Sequence, residues 1–160
     1  MFLKRLVYIM KRFKIFAIVV FGLLMSKSVL SQQLVSVSAT QVSPRQEAGY
    51  RFVIETDQYL PADAVLTIKF PDAFLLNNCI MAVSQTLNGG LTVNVIDSNI
   101  VRVGRTGLGD LAPSGQVDIY LASIINPMDM DQDYNFEITI LENSQELTSQ
   151  VSAARVLPVQ

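Results

Sequence analysis

The sequence predicts an all-β domain built as a two-sheet antiparallel sandwich. Apolar and polar residues alternate in one short segment after another, which is the period-2 pattern of half-buried strands. Turn-forming clusters separate these segments, as at 88–90 (NGG), 97–99 (DSN) and 113–115 (PSG). After residue 31 there is no sustained apolar stripe at helical spacing. About eight short strands, each with one apolar face, need two packed sheets to bury those faces.

Each predicted strand places its apolar side chains on one face. In the first strand Val35, Val37 and Ala39 share a face. Residues 93–103 (VNVIDSNIVRV) are predicted to form a hairpin about Asp97-Ser98-Asn99. A last extended run covers 147–156. The other predicted inward sets are Tyr50, Phe52 and Ile54; Leu66, Ile68 and Phe70; Leu91, Val93 and Val95; Val101 and Val103; Val117, Ile119 and Leu121, opposite Gln116, Asp118 and Tyr120; and Tyr134, Phe136, Ile138 and Ile140.

The strand at 65–70 stops abruptly at Phe70-Pro71. Proline has no N–H to donate to a strand ladder, so the strand has to end there or lie at an edge. Residues 71–74 (PDAF) then turn the chain and return Phe74 and Leu76 towards the interior. We therefore predict a corner at which the chain leaves one sheet for the other.

Residues 1–31 are predicted to be a signal peptide, and residues 32–160 the sandwich domain. Basic residues between Lys4 and Lys14 precede an apolar run at 15–25, which is about half the length that a membrane-spanning helix needs. Val29 and Ser31 then stand at −3 and −1 of a cleavage site. The alternative is an uncleaved N-terminal anchor. The expected location is secreted, extracellular or at the cell surface, or periplasmic in a Gram-negative source.

The domain that follows the predicted signal is acidic. It contains all fourteen acidic residues of the chain but only six of the basic ones, which gives a net charge of −8. Nucleic acids and anionic lipids are recognised through basic surfaces. The composition therefore argues against both as partners, and the short apolar run argues against a stable membrane span.

Cys79 is the one cysteine, so no disulfide can form within the chain. A lone thiol in an oxidising compartment is either buried or paired with another chain. Its neighbours on both sides are apolar, which favours a buried core position.

The residue types present are poorly suited to catalysis. Histidine is absent, which removes the commonest general base and the usual Ser-His and Cys-His nucleophilic systems. One cysteine cannot build a thiolate zinc site. We therefore predict that the protein is not an enzyme and needs no cofactor, with an exported carboxylate-based glycosidase as the alternative.

One acidic cluster is a calcium candidate. Asp129, Asp131 and Asp133 have the 1-3-5 spacing of an EF-hand loop, but Tyr134 stands where that loop needs glycine and Ile140 where it needs glutamate. The favoured interpretation is a solvated acidic turn between two strands. A looser calcium site at one end of the sandwich is the alternative.

Four segments carry a resemblance: 68–74 (IKFPDAF), Cys79, 115–127 (GQVDIYLASIINP) and 134–140 (YNFEITI). They resemble the immunoglobulin-like sandwich repeats in large surface proteins of ciliates and other protists. The resemblance covers about 100 residues, on the scale of one domain. It implies an immunoglobulin-like fold and an extracellular, non-catalytic binding or structural module.

These observations favour a protein that works by contact, as an adhesion, surface-coat or matrix component. The partner would be a protein or glycan bound at loops or a sheet edge, or a second copy of the chain. The alternative is an interfacial film former, in which residues 73–83 (AFLLNNCIMAV) form an exposed apolar loop. The competing interpretation of 73–83 is a core strand.

Overall fold

A computed structural model describes residues 32–142 and 145–159, and the predicted signal peptide lies outside them. This part of the chain forms strands and contains no helix, so none that would be long and apolar enough to cross a membrane. The strands are β1 (Gln32–Ala39), β2 (Glu47–Thr56), β3 (Val65–Lys69), β4 (Ala82–Val83), β5 (Leu91–Asp97), β6 (Ile100–Arg105), β7 (Gly115–Ile125), β8 (Asp133–Glu142) and β9 (Gln145–Pro158).

The strands pack as two layers, in the orders β4-β7-β2-β1 and β9-β8-β3-β6-β5. Strand β9 joins them, because it runs antiparallel to β8 and its end, Val156–Pro158, pairs in parallel with Val37–Ala39 of β1. The other pairings are antiparallel. This arrangement confirms the predicted two-sheet, immunoglobulin-like antiparallel sandwich.

A cluster of aromatic rings fills the space between the layers. The Phe70 ring lies 5.4 Å from Phe52 of β2 and 5.6 Å from Phe136 of β8, in edge-to-face contacts that join the two layers. Tyr50 and Phe74 complete the cluster around Phe70. Edge-to-face ring pairs contribute about 0.5–1.5 kcal/mol each beyond the area that they bury.

The corner predicted at Phe70-Pro71 is present. Phe70, the residue after β3, donates its N–H to the Asn99 carbonyl at 2.8 Å, and a turn at Pro71 follows. Leu75 then exchanges backbone hydrogen bonds of 3.2 and 3.0 Å with Ile125 of β7, in the other layer. The proline therefore ends one strand at the point where the chain crosses the sandwich.

The predicted inner face of β1 is wrong at one residue. Val35 is about half exposed and Leu34 is buried, whereas Val37 and Ala39 face the core as predicted. The cause is a bulge, since the pairing of β1 with β2 shifts register between Leu34 and Ser36. One extra residue in a strand reverses the alternation on one side of it.

A buried polar network fixes the loop after β1. The Tyr50 hydroxyl donates to the side-chain oxygen of Asn126, whose amide nitrogen donates to the carbonyls of Gln41 and Ser43 at 3.1 and 2.8 Å. Burial, with a smaller contribution from Tyr134, raises the pKa of Tyr50, so this hydroxyl remains a donor.

The bulge gives a matched pair of variants. We expect Val37→Ser to lower the free energy of unfolding by about 2–4 kcal/mol, because it leaves a cavity and a hydroxyl in the core. Val35→Ser should change it by less than about 0.5 kcal/mol. Urea unfolding of both variants checks this, and equal losses would mean that the bulge is absent.

Candidate functional site

Residues 73–83 run along the edge of β7 and are neither wholly core nor wholly exposed. Beyond the Leu75–Ile125 bridge, Ala122 donates its N–H to the Met81 carbonyl at 3.1 Å, and Val83 pairs with Tyr120. Both interpretations of the segment are therefore half right. Its buried side chains are Phe74, Leu76, Cys79 and Ala82, and its exposed apolar side chains are Leu75, Ile80, Met81 and Val83.

The exposed side chains form an apolar edge, defined here as Leu75, Ile80, Met81, Val83 and Met128. Ile80 is 84% exposed, and the other four are about half exposed or more. Leu75 and Met128 line one surface hollow, and Met81 and Val83 line another. Strand β4 has only two residues, so this edge presents few free backbone groups for strand pairing. What it presents is mainly exposed apolar side chains.

Asp118 holds the loop that follows β4. Its carboxylate accepts hydrogen bonds from the Ser84 hydroxyl (3.0 Å), the Gln85 N–H (2.9 Å) and both the N–H and the hydroxyl of Thr86 (3.2 and 3.1 Å). Arg51 lies 3.2 Å from its second oxygen. Burial by itself raises the pKa of this carboxyl, but the hydrogen bonds outweigh it and hold the pKa below its usual range.

The sequence pattern placed Asp118 on the polar face of its strand, and its burial was missed. The side chain is 2% exposed, because the 84–87 loop folds over it. The partners lie more than thirty residues earlier in the chain. The alternation of apolar and polar residues depends on the sequence of the strand itself. It therefore cannot predict burial by a loop that lies elsewhere in the chain.

Strand β5 forms the far edge of the other layer. Leu91, Val93 and Val95 pack against the core but are only partly buried, and Thr92 and Asn94 face solvent. In the part of the chain that the structure describes, β5 pairs with β6 on one side only, and the short strand β4 of the other layer approaches it without pairing. Its ladder is regular over residues 91–95 and then bulges at residue 96.

Arg105 ties together the loops beside β5. It is buried, and its guanidinium donates to the carbonyls of Leu60 (2.8 Å), Pro61 (2.6 Å) and Asp110 (2.6 Å). A fourth carbonyl, of Asn88, lies 3.5 Å away. Because these carbonyls engage both terminal nitrogens and the side chain is buried, Arg105 is a structural cation and not a free binding group.

The structure places Asp129, Asp131 and Asp133 in a turn that enters β8. Asp129 accepts the N–H of Asp131 at 2.9 Å, and Asp133 lies 3.7 Å from Arg155, which also donates to the Asp131 carbonyl at 2.6 Å. Tyr134 donates its hydroxyl to the Asp129 carbonyl. Within residues 32–142 and 145–159, no group of three acidic, histidine or cysteine side chains is arranged to hold a metal ion.

A polar groove of about 410 Å³ lies on the layer that contains β3 and β8, at the end of β3. Its polar groups are engaged with one another: Lys69 lies 3.5 Å from Glu137, and Asn99 donates to Asp72 at 2.7 Å. The groove therefore offers a hydroxyl-rich ligand mainly groups that are already paired.

Cys79 is buried, as the sequence predicts. Burial raises the pKa of its thiol to about 11. The thiolate is the nucleophilic form of cysteine, so the neutral Cys79 side chain is unreactive at neutral pH.

No protein-family model and no curated protein matches this chain. Among solved structures it is similar to the cohesin module of a Clostridium perfringens family 33 glycoside hydrolase, with TM-score 0.53, 11% identity, and 83% of this chain and 100% of that one covered. The major pilin subunit of Bacillus cereus gives TM-score 0.49 and 9% identity, with 80% of this chain covered. The N-terminal domain of a Streptococcus gordonii adhesin gives TM-score 0.47 and 11% identity, with 76% covered.

This chain spans 40% of the pilin and 32% of the adhesin. At such low identity, the likeness to the cohesin module shows a shared β-sandwich fold. The cohesin module comes from a bacterium, so this likeness supports a β-sandwich without being specific to the protist repeats.

The depressed pKa of Asp118 makes its contribution to stability dependent on pH. The contribution is present above the unfolded pKa of about 3.9 and is lost as pH falls through the folded value. We expect Asp118→Asn to be about 1–3 kcal/mol less stable than wild type at pH 7, and the difference to shrink below about pH 4. Urea unfolding across pH checks this, with Asp63→Asn as a surface control. A difference that is constant with pH would contradict it.

Local hydrogen bonds and Arg155 already engage carboxylates and carbonyls of the acidic turn. We therefore expect about 1 mM calcium to leave the melting midpoint unchanged. A rise of more than about 2 °C that Asp131→Asn abolishes would instead establish a calcium site.

Proposed function

We propose that this protein is a secreted, non-catalytic β-sandwich that acts by contact, as an adhesion, surface-coat or matrix component outside the cell or on its surface. The observation that carries the proposal is the apolar edge, where five large apolar side chains are exposed on or beside the edge of one layer. Exposed apolar clusters on soluble domains usually mark a surface that meets a partner or an interface.

The chemistry of the charged and nucleophilic groups supports contact over catalysis. The terminal nitrogens of Arg105 and the carboxylate of Asp118 are engaged in structural hydrogen bonds, and Cys79 is buried and neutral at physiological pH. The sequence contains no histidine. A catalytic site needs groups that converge on a reacting atom, and these groups are instead directed at the protein's own backbone and side chains.

A second candidate function is an interfacial film former. Ile80 favours it, since a branched apolar side chain that is 84% exposed gains from any apolar phase that it meets. In this case the same apolar edge would face an air–water or oil–water boundary instead of a protein or glycan partner.

The apolar edge can be removed without touching the core. We expect Ile80→Ser with Met81→Ser to abolish most of the fluorescence of a dye that reports exposed apolar surface, and to weaken retention on a hydrophobic-interaction column. Leu108→Ser with Val151→Ser is the matched control, because it removes two exposed apolar side chains elsewhere and should preserve both signals.

Equal losses in the two double variants would overturn the proposal that the apolar edge is the contact surface. Surface pressure at an air–water interface separates the candidates. A film former raises it strongly and loses the effect with the Ile80 and Met81 changes. For a contact protein with a macromolecular partner, the wild type and the Ile80 and Met81 double variant raise the surface pressure equally.

A further inference from the structure

Strand β5 is an edge without the usual protection against pairing. Alternate residues of an outermost strand direct their N–H and C=O groups away from the sheet, where another strand can bind them. Proteins commonly protect such an edge with lysine, proline or a bulge. The regular stretch Leu91–Val95 contains none of these, because the bulge comes after it, at residue 96.

The inner face of β5 is incompletely buried. Leu91, Val93 and Val95 remain partly exposed, whereas Val101 and Val103, on the neighbouring strand β6, are fully buried. The difference arises because β6 has a hydrogen-bonded strand on each side, whereas β5 has one on a single side among the described strands, with only the two-residue strand β4 near it. A strand added beside β5, with apolar residues at the same spacing, would complete this burial.

Charge favours a second copy of this chain as the source of that strand. The domain carries an excess of acidic residues, so most of its surface repels another copy. Leu91–Val95 has no charged residue, and the first charge along β5 is Asp97. Two copies can therefore approach at this edge without bringing like charges together.

We propose that two copies of this chain pair through β5, antiparallel about a twofold axis at Val93. This inference rests on the proposed contact function and names the partner for it. Leu91 of one copy lies opposite Val95 of the other on the inner face, and Thr92 opposite Asn94 on the outer face. A twofold contact is self-complementary and is the commonest symmetry of homo-oligomers. The two Asp97 residues lie about 27 Å apart along the strands, beyond the screening length.

Light scattering coupled to size exclusion tests the pairing, at concentrations up to about 1 mM. We expect a dimer that Thr92→Lys with Asn94→Lys weakens by about tenfold or more, because the register places the new lysines opposite each other. Asn135→Lys with Thr139→Lys is the matched control. It adds the same charges on β8, which has a strand on each side, and should leave the dimer intact.

Cysteine crosslinking tests the register. In the Val93→Cys variant the new cysteine lies on the twofold axis, so its Cα atom in one copy lies about 4.5–5.5 Å from that in the other copy. This distance is within the range of a disulfide. The corresponding atoms of Val95→Cys lie about 14 Å apart. We expect oxidation to give a covalent dimer with Val93→Cys and not with Val95→Cys, the matched control on the same strand and face. Cys79 is buried and does not interfere.

A monomer at every concentration would overturn the inference, and so would a dimer that is insensitive to the β5 lysines or equal crosslinking of the two cysteine variants. Those results leave the dye and column measurements on the apolar edge untouched. Conversely, failure of the apolar-edge test would remove the proposed contact surface whatever β5 does. The two failures are therefore distinguishable.

Discussion

The contact of Phe70 with rings from both layers is the interaction on which the rest of the sandwich depends. Phe70 directly follows β3 in one layer and packs against Phe52 of the other. Pro71 stops the ladder immediately afterwards, so the chain has to cross the core, and Phe74 follows it inward. The segment that emerges is laid along the edge of β7. The apolar edge thus arises from the same corner that closes the core.

The connectivity of the strands determines where apolar surface is left uncovered. Strand β9 pairs with β8 and then with β1, which joins the two layers at that point. The strand order then ends at β4 in one layer and β5 in the other. These ends differ in kind: β4 has two residues and offers side chains, whereas β5 has a regular five-residue ladder and offers backbone. The two proposed modes of contact therefore belong to the two ends of one strand order.

Strand alternation was enough to predict the fold class and most inward faces, because burial of one strand face is a local property of the sequence. It failed at Val35, where a bulge depends on the pairing with β2, and at Asp118, where burial depends on a distant loop. The sequence predicts exposure of residues 73–83 only as one of two alternatives, and it gives no sign that Met128 lies beside them. Residues 73–83 turn twice, so their inward positions follow no fixed period, and the position of Ile80 depends on the corner before it.

The buried carboxylate of Asp118 is committed to the loop beside the apolar edge. A carboxylate next to two hydroxyl groups could in principle act as a general base for one of them as nucleophile. Here, however, the hydroxyls of Ser84 and Thr86 and nearby backbone N–H groups all donate to Asp118. Its hydrogen bonds therefore hold the loop and leave it poorly placed to accept a substrate proton. Arg51, stacked on Tyr120 at 5.2 Å, restrains the carboxylate from the other side. A loop fixed in this way holds the adjoining β4 in place, and an apolar edge ordered before binding loses less entropy when a partner covers it.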